Sequence, residues 1–182
     1  MRVVTGSARG IKLKTLSGND VRPTTEQVKE AIFSSIHFQL NGANVLDLFA
    51  GSGQLGIEAL SRGASYAAFC DSSKLACEVI QSNLNACHFE KDSYRLYNGD
   101  FSSFLRLTDK KFDFCFLDPP YYAGLYKPAF DSLKNVVNEN AVILCEHPKD
   151  ISLDDNYGPF VKVKDYRFSR IIISKYVNTV SE

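Results

Sequence analysis

The chain has 182 residues, of which 45% are hydrophobic, enough for one domain with a buried core. It carries 21 basic and 21 acidic residues, so its surface as a whole is not a polycation that would bind nucleic acid indiscriminately. The absence of an apolar run of about 18 residues and five cysteines without C-x-x-C spacing predict a reduced, cytoplasmic protein. We expect no membrane contact, no disulfide framework and no metal site.

The first 40 residues hold an excess of positive charge. They contain six basic and three acidic residues, whereas the rest of the chain holds 15 basic and 18 acidic ones. Residues 1–22 alternate weakly between apolar and polar and are interrupted by glycines, which predicts a short basic β arm ahead of a domain over residues 23–182. The arm's charge fits a polyanion partner, although on charge alone a solvated tail is the simpler explanation.

A helix is predicted to begin at Thr24, which forms a capping pair with Gln27. An apolar stripe at helical spacing over residues 28–36 predicts that this helix packs on the core, and Asn41-Gly42 ends it.

Strands and helices then alternate. We predict strands at 45–49, 66–70, 94–97, 112–117 and 141–145, separated by helices that end near residues 62, 86, 107 and 137. Two further β-rich runs, 160–163 and 171–177, suit a hairpin. This order predicts an open α/β fold, with a parallel sheet and a terminal hairpin.

Four of the predicted strands end in residues that suit ligand binding: Gly51-Ser52-Gly53, Asp71, Asp100 and Asp118. In open α/β sheets ligands bind beyond the carboxyl ends of the strands. We therefore expect these residues to face one crevice.

The glycine pattern by itself fits two cofactors. Gly51, Gly53 and Gly56 match G-x-G-x-x-G, and Asp71 follows Gly51 by 20 residues, as in nicotinamide dinucleotide sites. Asp47, however, lies inside the preceding strand, where a buried carboxylate needs a donor or a cation and would be a poor neighbour for a pyrophosphate. This favours S-adenosylmethionine, whose ammonium group could meet the acid.

The run Asn98-Gly99-Asp100-Phe101 favours the same cofactor. Asp100 could accept a hydrogen bond from the adenine amino group, and Phe101 could stack on the ring. Asp100 alone is equally well explained as a helix N-cap.

The run Asp118-Pro119-Pro120-Tyr121 ends a short apolar strand. Two prolines donate no backbone hydrogen bonds and cannot extend a sheet, so the chain must turn here. The Asp118 carboxylate and the Pro119 carbonyl could accept both hydrogens of a planar NH₂ group, with Tyr121 stacked on its ring. The alternative is a plain turn with Tyr121 partly in the core.

Three of these segments resemble motifs I, III and IV of class I S-adenosylmethionine-dependent amino-methyltransferases: 45–56, 98–100 and 118–121. A wider set, over nearly the whole chain, resembles the RsmD family: Arg22-Pro23-Thr24, 46–53, Leu55-Gly56, 58–64 and 116–121. The resemblance implies a Rossmann-like fold with a seven-stranded, mostly parallel sheet, a C-terminal antiparallel hairpin and a short N-terminal arm. It also implies methyl transfer from S-adenosylmethionine to N2 of a guanine in small-subunit (16S) ribosomal RNA.

The resemblance assigns roles to three groups of residues. The catalytic residues would be Asp118, Pro119, Pro120 and Tyr121. The cofactor would be bound by Asp47, Phe49, Ala50, Gly51, Ser52, Gly53, Asp71, Ser72, Asp100 and Phe101. The RNA would be bound by Arg9, Lys12, Lys14, Arg22, Pro23, Thr24 and Lys29. We expect a monomer acting on ribosomal RNA, either naked or in an assembled particle.

Three positions depart from the family pattern. Lys29 replaces the usual Arg, Asp71 replaces the usual Glu, and 166–169 lacks the usual Tyr-Gly.

The sequence is also compatible with other functions. An amino-methyltransferase acting on DNA adenine or cytosine, or on a protein glutamine, would use the same chemistry. A nicotinamide-dependent oxidoreductase would need a hydride-handling group in the crevice, and His37, His88 and His147 have no evident partner for that role. A non-catalytic RNA-binding module would not need the intact 118–121 run.

Overall fold

The computed structural model describes residues 1–16 and 25–179. The helices are α1 (Glu26–Ser34), α2 (Gln54–Ser61), α3 (Lys74–Ala86), α4 (Phe101–Leu107) and α5 (Tyr126–Leu133). The strands are β1 (Asn44–Leu48), β2 (Tyr66–Asp71), β3 (Tyr94–Asn98), β4 (Phe112–Leu117), β5 (Val137–Pro148), β6 (Asn156–Tyr157), β7 (Phe160–Arg167) and β8 (Ile171–Asn178). Within these ranges no helix is both long and apolar enough to cross a bilayer.

The strands form one sheet in the order β3-β2-β1-β4-β5-β8-β7-β6. The first five of these run parallel, and β8, β7 and β6 continue the sheet antiparallel. The predicted Rossmann-like fold is confirmed, but within the described part of the chain the sheet has eight strands rather than seven. The extra strand, β6, is two residues long, too short for any periodic pattern to mark it in the sequence.

The central strands are buried on both faces, which explains their continuous apolar runs. On β1, Val45 faces the layer formed by α1, α2 and α3, whereas Leu46 faces the layer formed by α4 and α5. The order reverses between β1 and β4, so the crevice expected for a ligand opens at the carboxyl ends of these two strands.

The first helix is shorter than predicted. It begins at Glu26 with Thr25 as the N-cap, whose hydroxyl accepts from the Val28 N–H at 3.3 Å, and it ends at Ser34. Thr24, the predicted cap, lies outside the described residues. The Ser35 hydroxyl donates to the Ile32 carbonyl, a local bond that competes with helix continuation.

The fifth helix is also shorter than predicted, and the strand after it is longer. The helix ends at Leu133 instead of 137, and β5 spans Val137–Pro148 instead of 141–145. Val137 is buried opposite Phe112 on β4, with a shift of register before Phe114. Pairing with β4 therefore outweighs the local helical pattern.

The N-terminal arm folds back on itself and packs on the domain. Its bridge joins Arg2 to Lys12, and Val3, Ala8 and Leu13 belong to the core. The Ala8 N–H donates to the Ser61 hydroxyl of α2 at 2.9 Å. The predicted boundary between residues 22 and 23 falls outside the described residues and stays a prediction.

A buried acid holds the arm in place. Glu58 accepts from the backbone N–H groups of Val4 (2.8 Å) and Thr5 (3.0 Å), and it pairs with Arg62 at 2.8 Å and Lys29 at 3.6 Å. Lys29 is fully buried and also donates to the Arg2 carbonyl. Burial lowers the pKa of Lys29, and the charge of Glu58 opposes this shift. The prediction that Lys29 contacts RNA is therefore wrong, because its ammonium group is enclosed by protein.

We expect Glu58→Gln to destabilise the fold by about 3–5 kcal/mol, because it leaves Lys29 as a buried charge without its counter-ion. Urea unfolding measures this loss. The control is Glu30→Gln on the exposed side of α1, expected to change the unfolding free energy by less than about 0.5 kcal/mol. Equal effects of the two substitutions would contradict the assigned role of Glu58.

Candidate active site

The loop between β1 and α2 is a tight turn with an unusual backbone. Phe49 (φ 71°), Gly51 (φ 56°) and Gly53 (φ 75°) all adopt left-handed conformations. This conformation is unfavourable for Phe49, and such strain clusters at functional sites. The Phe49 ring packs on Phe101, with ring centroids 5.1 Å apart. The loop therefore carries its backbone and one aromatic ring towards the crevice.

Asp47 lies beneath this loop and is almost completely buried. One carboxylate oxygen accepts from the Gly56 N–H at 2.8 Å. Burial raises the pKa of Asp47 to about 7; the charge of Asp71 adds to the rise, and the Gly56 hydrogen bond opposes it. The predicted need for a donor is met in part by Gly56, and a cation above the loop would stabilise the ionised form further.

Asp71, at the end of β2, supports the turn through both oxygens. It accepts from the Gly51 N–H and from the Ser73 N–H, each at 2.8 Å. Ser72 lies beside it and is exposed. These bonds tie the ends of β1 and β2 together at the crevice.

Asp100 is the N-cap of α4. Its Oδ2 accepts from the Ser103 N–H at 2.9 Å and from the Ser102 hydroxyl at 2.6 Å, and these bonds lower its pKa. The N-cap interpretation is therefore confirmed. The contact with an adenine amino group stays a prediction.

The buried side chain of Asn83 links the arm to the glycine loop, a role that sequence analysis missed. Its amide donates to the Ser52 carbonyl (2.9 Å) and the Lys14 carbonyl (3.0 Å), and its oxygen accepts from the Lys14 N–H (2.8 Å). The sequence signal for this role was an asparagine on the apolar face of α3, in line with Ile80, because a buried amide needs hydrogen-bond partners.

The 118–121 run leaves the sheet as a turn, as predicted. Asp118 follows the last paired residue of β4, Pro119 is buried, and Tyr122 has a left-handed φ of 62°. The half-buried Tyr121 donates its hydroxyl hydrogen to Glu146 at 2.8 Å. The hydroxyl end of Tyr121 is thus anchored, while the residue as a whole stays partly exposed.

Three carboxylates, those of Asp47, Asp118 and Glu146, lie on the same face of the sheet. Phe116 on β4 lies opposite Asp47 on β1 and Leu144 on β5. Asp118 and Glu146 each follow two residues later, and side chains return to the same face every second residue. Burial, the charge of Glu146 and the charge of Asp47 together raise the pKa of Asp118 well above its ordinary value. A cationic ligand beside these acids would favour their ionised forms and reduce the repulsion between them.

Beside Tyr121 and Glu146 lies a cavity of about 470 Å³. Its other walls are the start of α1 and the turn between β7 and β8, neither of which sequence analysis assigned to a pocket. Among the described residues, its lining consists of Thr25, Gln27, Val28, Tyr121, Glu146, Arg167, Phe168, Ser169, Arg170 and Ile171. A smaller hollow of about 350 Å³ lies at the amino ends of β1, β4 and β5, away from these carboxylates.

Comparison with known proteins agrees with this geometry. Residues 1–177 match the family described as Conserved hypothetical protein 95. The candidate rRNA methyltransferase YlbH of Bacillus subtilis (strain 168) is 37% identical over 169 residues, 90% of this chain and 91% of YlbH. Ribosomal RNA small subunit methyltransferase D of Haemophilus influenzae is 34% identical over 154 residues, 82% of this chain and 80% of that protein. This chain belongs to the RsmD family.

A solved structure extends the likeness to three dimensions. The candidate methyltransferase yhhF of Escherichia coli superposes with a TM-score of 0.88 at 26% identity, covering 98% of both chains. The family predicted from the motifs is therefore confirmed.

In this RsmD-family chain the predicted RNA contacts divide into three groups. Arg9, Lys12 and Lys14 are exposed on the arm, where they could meet a polyanion. Arg22-Pro23-Thr24 lies outside the described residues. Lys29 is excluded by its burial against Glu58.

The raised pKa of Asp47 predicts a pH-dependent stability. The folded protein holds this proton up to about pH 7, whereas an unfolded aspartate loses it near its ordinary pKa of 3.8. Stability should therefore fall as pH rises between these values, by about 4 kcal/mol at most. Asp47→Asn should remove this fall. The stability of the variant relative to the unmodified protein should therefore increase between pH 5 and pH 8.

Urea unfolding at both pH values, without ligand, measures the difference. Asp92→Asn, at an exposed position before β3, is the matched control and should keep the original pH dependence. Parallel pH curves for Asp47→Asn and the unmodified protein would contradict the assignment.

Proposed function

We propose that this chain transfers a methyl group from S-adenosylmethionine to the exocyclic N2 of a guanine in small-subunit (16S) ribosomal RNA, acting as a monomer. The observation that carries the proposal is the Asp118-Pro119-Pro120-Tyr121 turn at the end of β4, next to the glycine loop of an RsmD-family chain. The names of relatives support ribosomal RNA of the small subunit as the substrate. The choice of guanine N2 rests on the resemblance of the motifs.

The residues around the loop fit S-adenosylmethionine. Asp47 would hold the ammonium group, Asp71 the ribose hydroxyls, and Asp100 with Phe101 the adenine. The backbone of 49–53 and the exposed Ser72 would complete the site. S-adenosylmethionine supplies an electrophilic methyl group carried on a sulfonium sulfur.

The same charges argue against a nicotinamide dinucleotide. The carboxylates of Asp47, Asp118 and Glu146 influence one another through their charges. A pyrophosphate would add negative charge to this crevice, whereas an ammonium and a sulfonium would offset it.

The residues of the 118–121 turn would act on the target amine. The Asp118 carboxylate and the Pro119 carbonyl would accept the two N–H groups, which orients the nitrogen lone pair and offsets the positive charge that develops on it. Such preorganised groups contribute roughly 3–4 kcal/mol each. Tyr121 would stack on the base, worth about 1–3 kcal/mol. The proton leaves an amine that is already cationic, so no strong base is required.

The arm would hold the RNA backbone. The exposed Arg9, Lys12 and Lys14 would pair with phosphates, and the Asn83 bridge fastens Lys14 next to the cofactor loop. The target base must leave its stack to reach Tyr121. Ribosomal RNA, naked or within an assembled particle, is the proposed partner.

We expect Asp118→Ala to lower kcat/KM for methylation of small-subunit ribosomal RNA by at least about 10²–10³, because it removes an acceptor that acts on the developing charge. Binding of S-adenosylmethionine should persist, which calorimetry measures. Asp131→Ala, at an exposed position on α5, is the matched control. Full turnover by Asp118→Ala would refute the catalytic assignment.

Replacing Lys12 and Lys14 together by Gln should weaken RNA binding and reduce the slope of log K against log salt by about 1–2, since up to two phosphate contacts are lost. The matched control replaces two exposed lysines outside the arm, Lys91 before β3 and Lys110 before β4. An unchanged salt slope in the arm variant would show that Lys12 and Lys14 do not contact RNA phosphates.

A further inference from the structure

Glu146 occupies a position beside the proposed amine acceptors. Leu117 on β4 lies opposite Cys145 on β5, so Asp118 and Glu146 are the next residues on neighbouring parallel strands. Adjacent strands are about 4.8 Å apart. Glu146 is 6% exposed and accepts the hydroxyl hydrogen of Tyr121 at 2.8 Å. It also lines the 470 Å³ cavity, where the base would lie. Glu146 therefore contacts the proposed stacking residue, Tyr121, and borders the space for the base.

We propose that Glu146 is the residue that selects guanine, by accepting a hydrogen bond from the ring N1–H next to the methylated amine. This inference rests on the proposed function, which it deepens. A carboxylate offers about four lone-pair sites, so one carboxylate can accept hydrogen bonds from more than one donor. Asp118 and Pro119 would hold the N2 hydrogens, and Glu146 would hold the neighbouring N1–H.

The edge of the base gives this arrangement its selectivity. In guanine, the ring nitrogen beside the exocyclic amine carries a hydrogen. In adenine and cytosine, the ring nitrogen beside the amine is an acceptor, and in a glutamine amide the neighbouring atom is a carbonyl oxygen. Two acceptors facing each other repel, and a site built to bond a substrate N–H rejects analogues that lack it. Glu146 therefore favours guanine over the other amine substrates that share the chemistry of the 118–121 turn.

The turn between β7 and β8 forms the opposite wall of the cavity. Arg167 and Arg170 are exposed there, and the turn is closed by a bond from the Phe168 N–H to the Ile171 carbonyl at 2.9 Å. The ion pair of Arg167 with Asp165, at 3.5 Å, is exposed and therefore weak. Two guanidinium groups at the rim of the cavity could bind the phosphates on either side of an extruded nucleotide. Glu146 would then contact the edge of that nucleotide's base.

The test uses an analogue that changes only the edge of the base. 2-Aminopurine keeps the 2-amino group, lacks the 6-oxo group, and has an acceptor in place of the N1–H. The probe is a short RNA carrying the guanine that the unmodified enzyme methylates, located by mass spectrometry, together with the same RNA carrying 2-aminopurine at that position. We expect the unmodified enzyme to prefer guanine by at least about 10²-fold in kcat/KM.

Glu146→Gln should reduce the preference for guanine over 2-aminopurine at least tenfold, because the glutamine NH₂ can donate to the N1 acceptor of 2-aminopurine. Glu139→Gln, an exposed acid on the same strand, is the matched control and should keep the original preference. Methylation of guanine with an unchanged preference in Glu146→Gln would overturn this inference alone. Equal rates on both RNAs by the unmodified enzyme would also overturn it, even if the variant failed to fold. No methylation of guanine RNA by the unmodified enzyme would overturn the proposed function and this inference with it.

Discussion

The parallel register of β1, β4 and β5 is the constraint on which the crevice depends. It brings Asp47, Asp118 and Glu146 to one face of the sheet, although they are far apart in the chain. Buried carboxylates that face one another raise each other's pKa, and a cation relieves the repulsion. The chemistry proposed here, a sulfonium donor and an amine that becomes cationic, matches that electrostatic environment. The strands thus provide both the position and the charge of the site.

Buried polar side chains connect the arm to this crevice. Glu58 holds the arm's backbone and compensates the charge of Lys29, and Asn83 joins Lys14 to the Ser52 carbonyl. Because the arm is bonded to the same helices that support the glycine loop, RNA bound by the arm would be held in a fixed position relative to the cofactor. This provides a physical reason for a basic arm to belong to the core of the domain.

Much of the fold was predictable from periodicity. The bounds of α4 and β4 match the predicted ranges, and the alternation of elements implied the parallel sheet. The errors have a common cause. β5 extends back to Val137 because of its pairing with β4, and β6 exists only through its pairing with β7. Pairing between distant segments depends on contacts that no local pattern records.

The sequence by itself determined the family, the glycine loop and the identity of the 118–121 turn, because glycines, prolines and acids at strand ends act through local backbone geometry. Only the tertiary structure decided which charged side chains can contact a ligand. Lys29 looked like a phosphate contact and is a buried partner of Glu58. Glu146 follows the predicted strand 141–145 and had no predicted role, yet it lines the cavity beside Tyr121. Burial and the neighbours of a charge are set by packing between distant segments, and these decide whether a charged side chain supports the fold or meets a ligand.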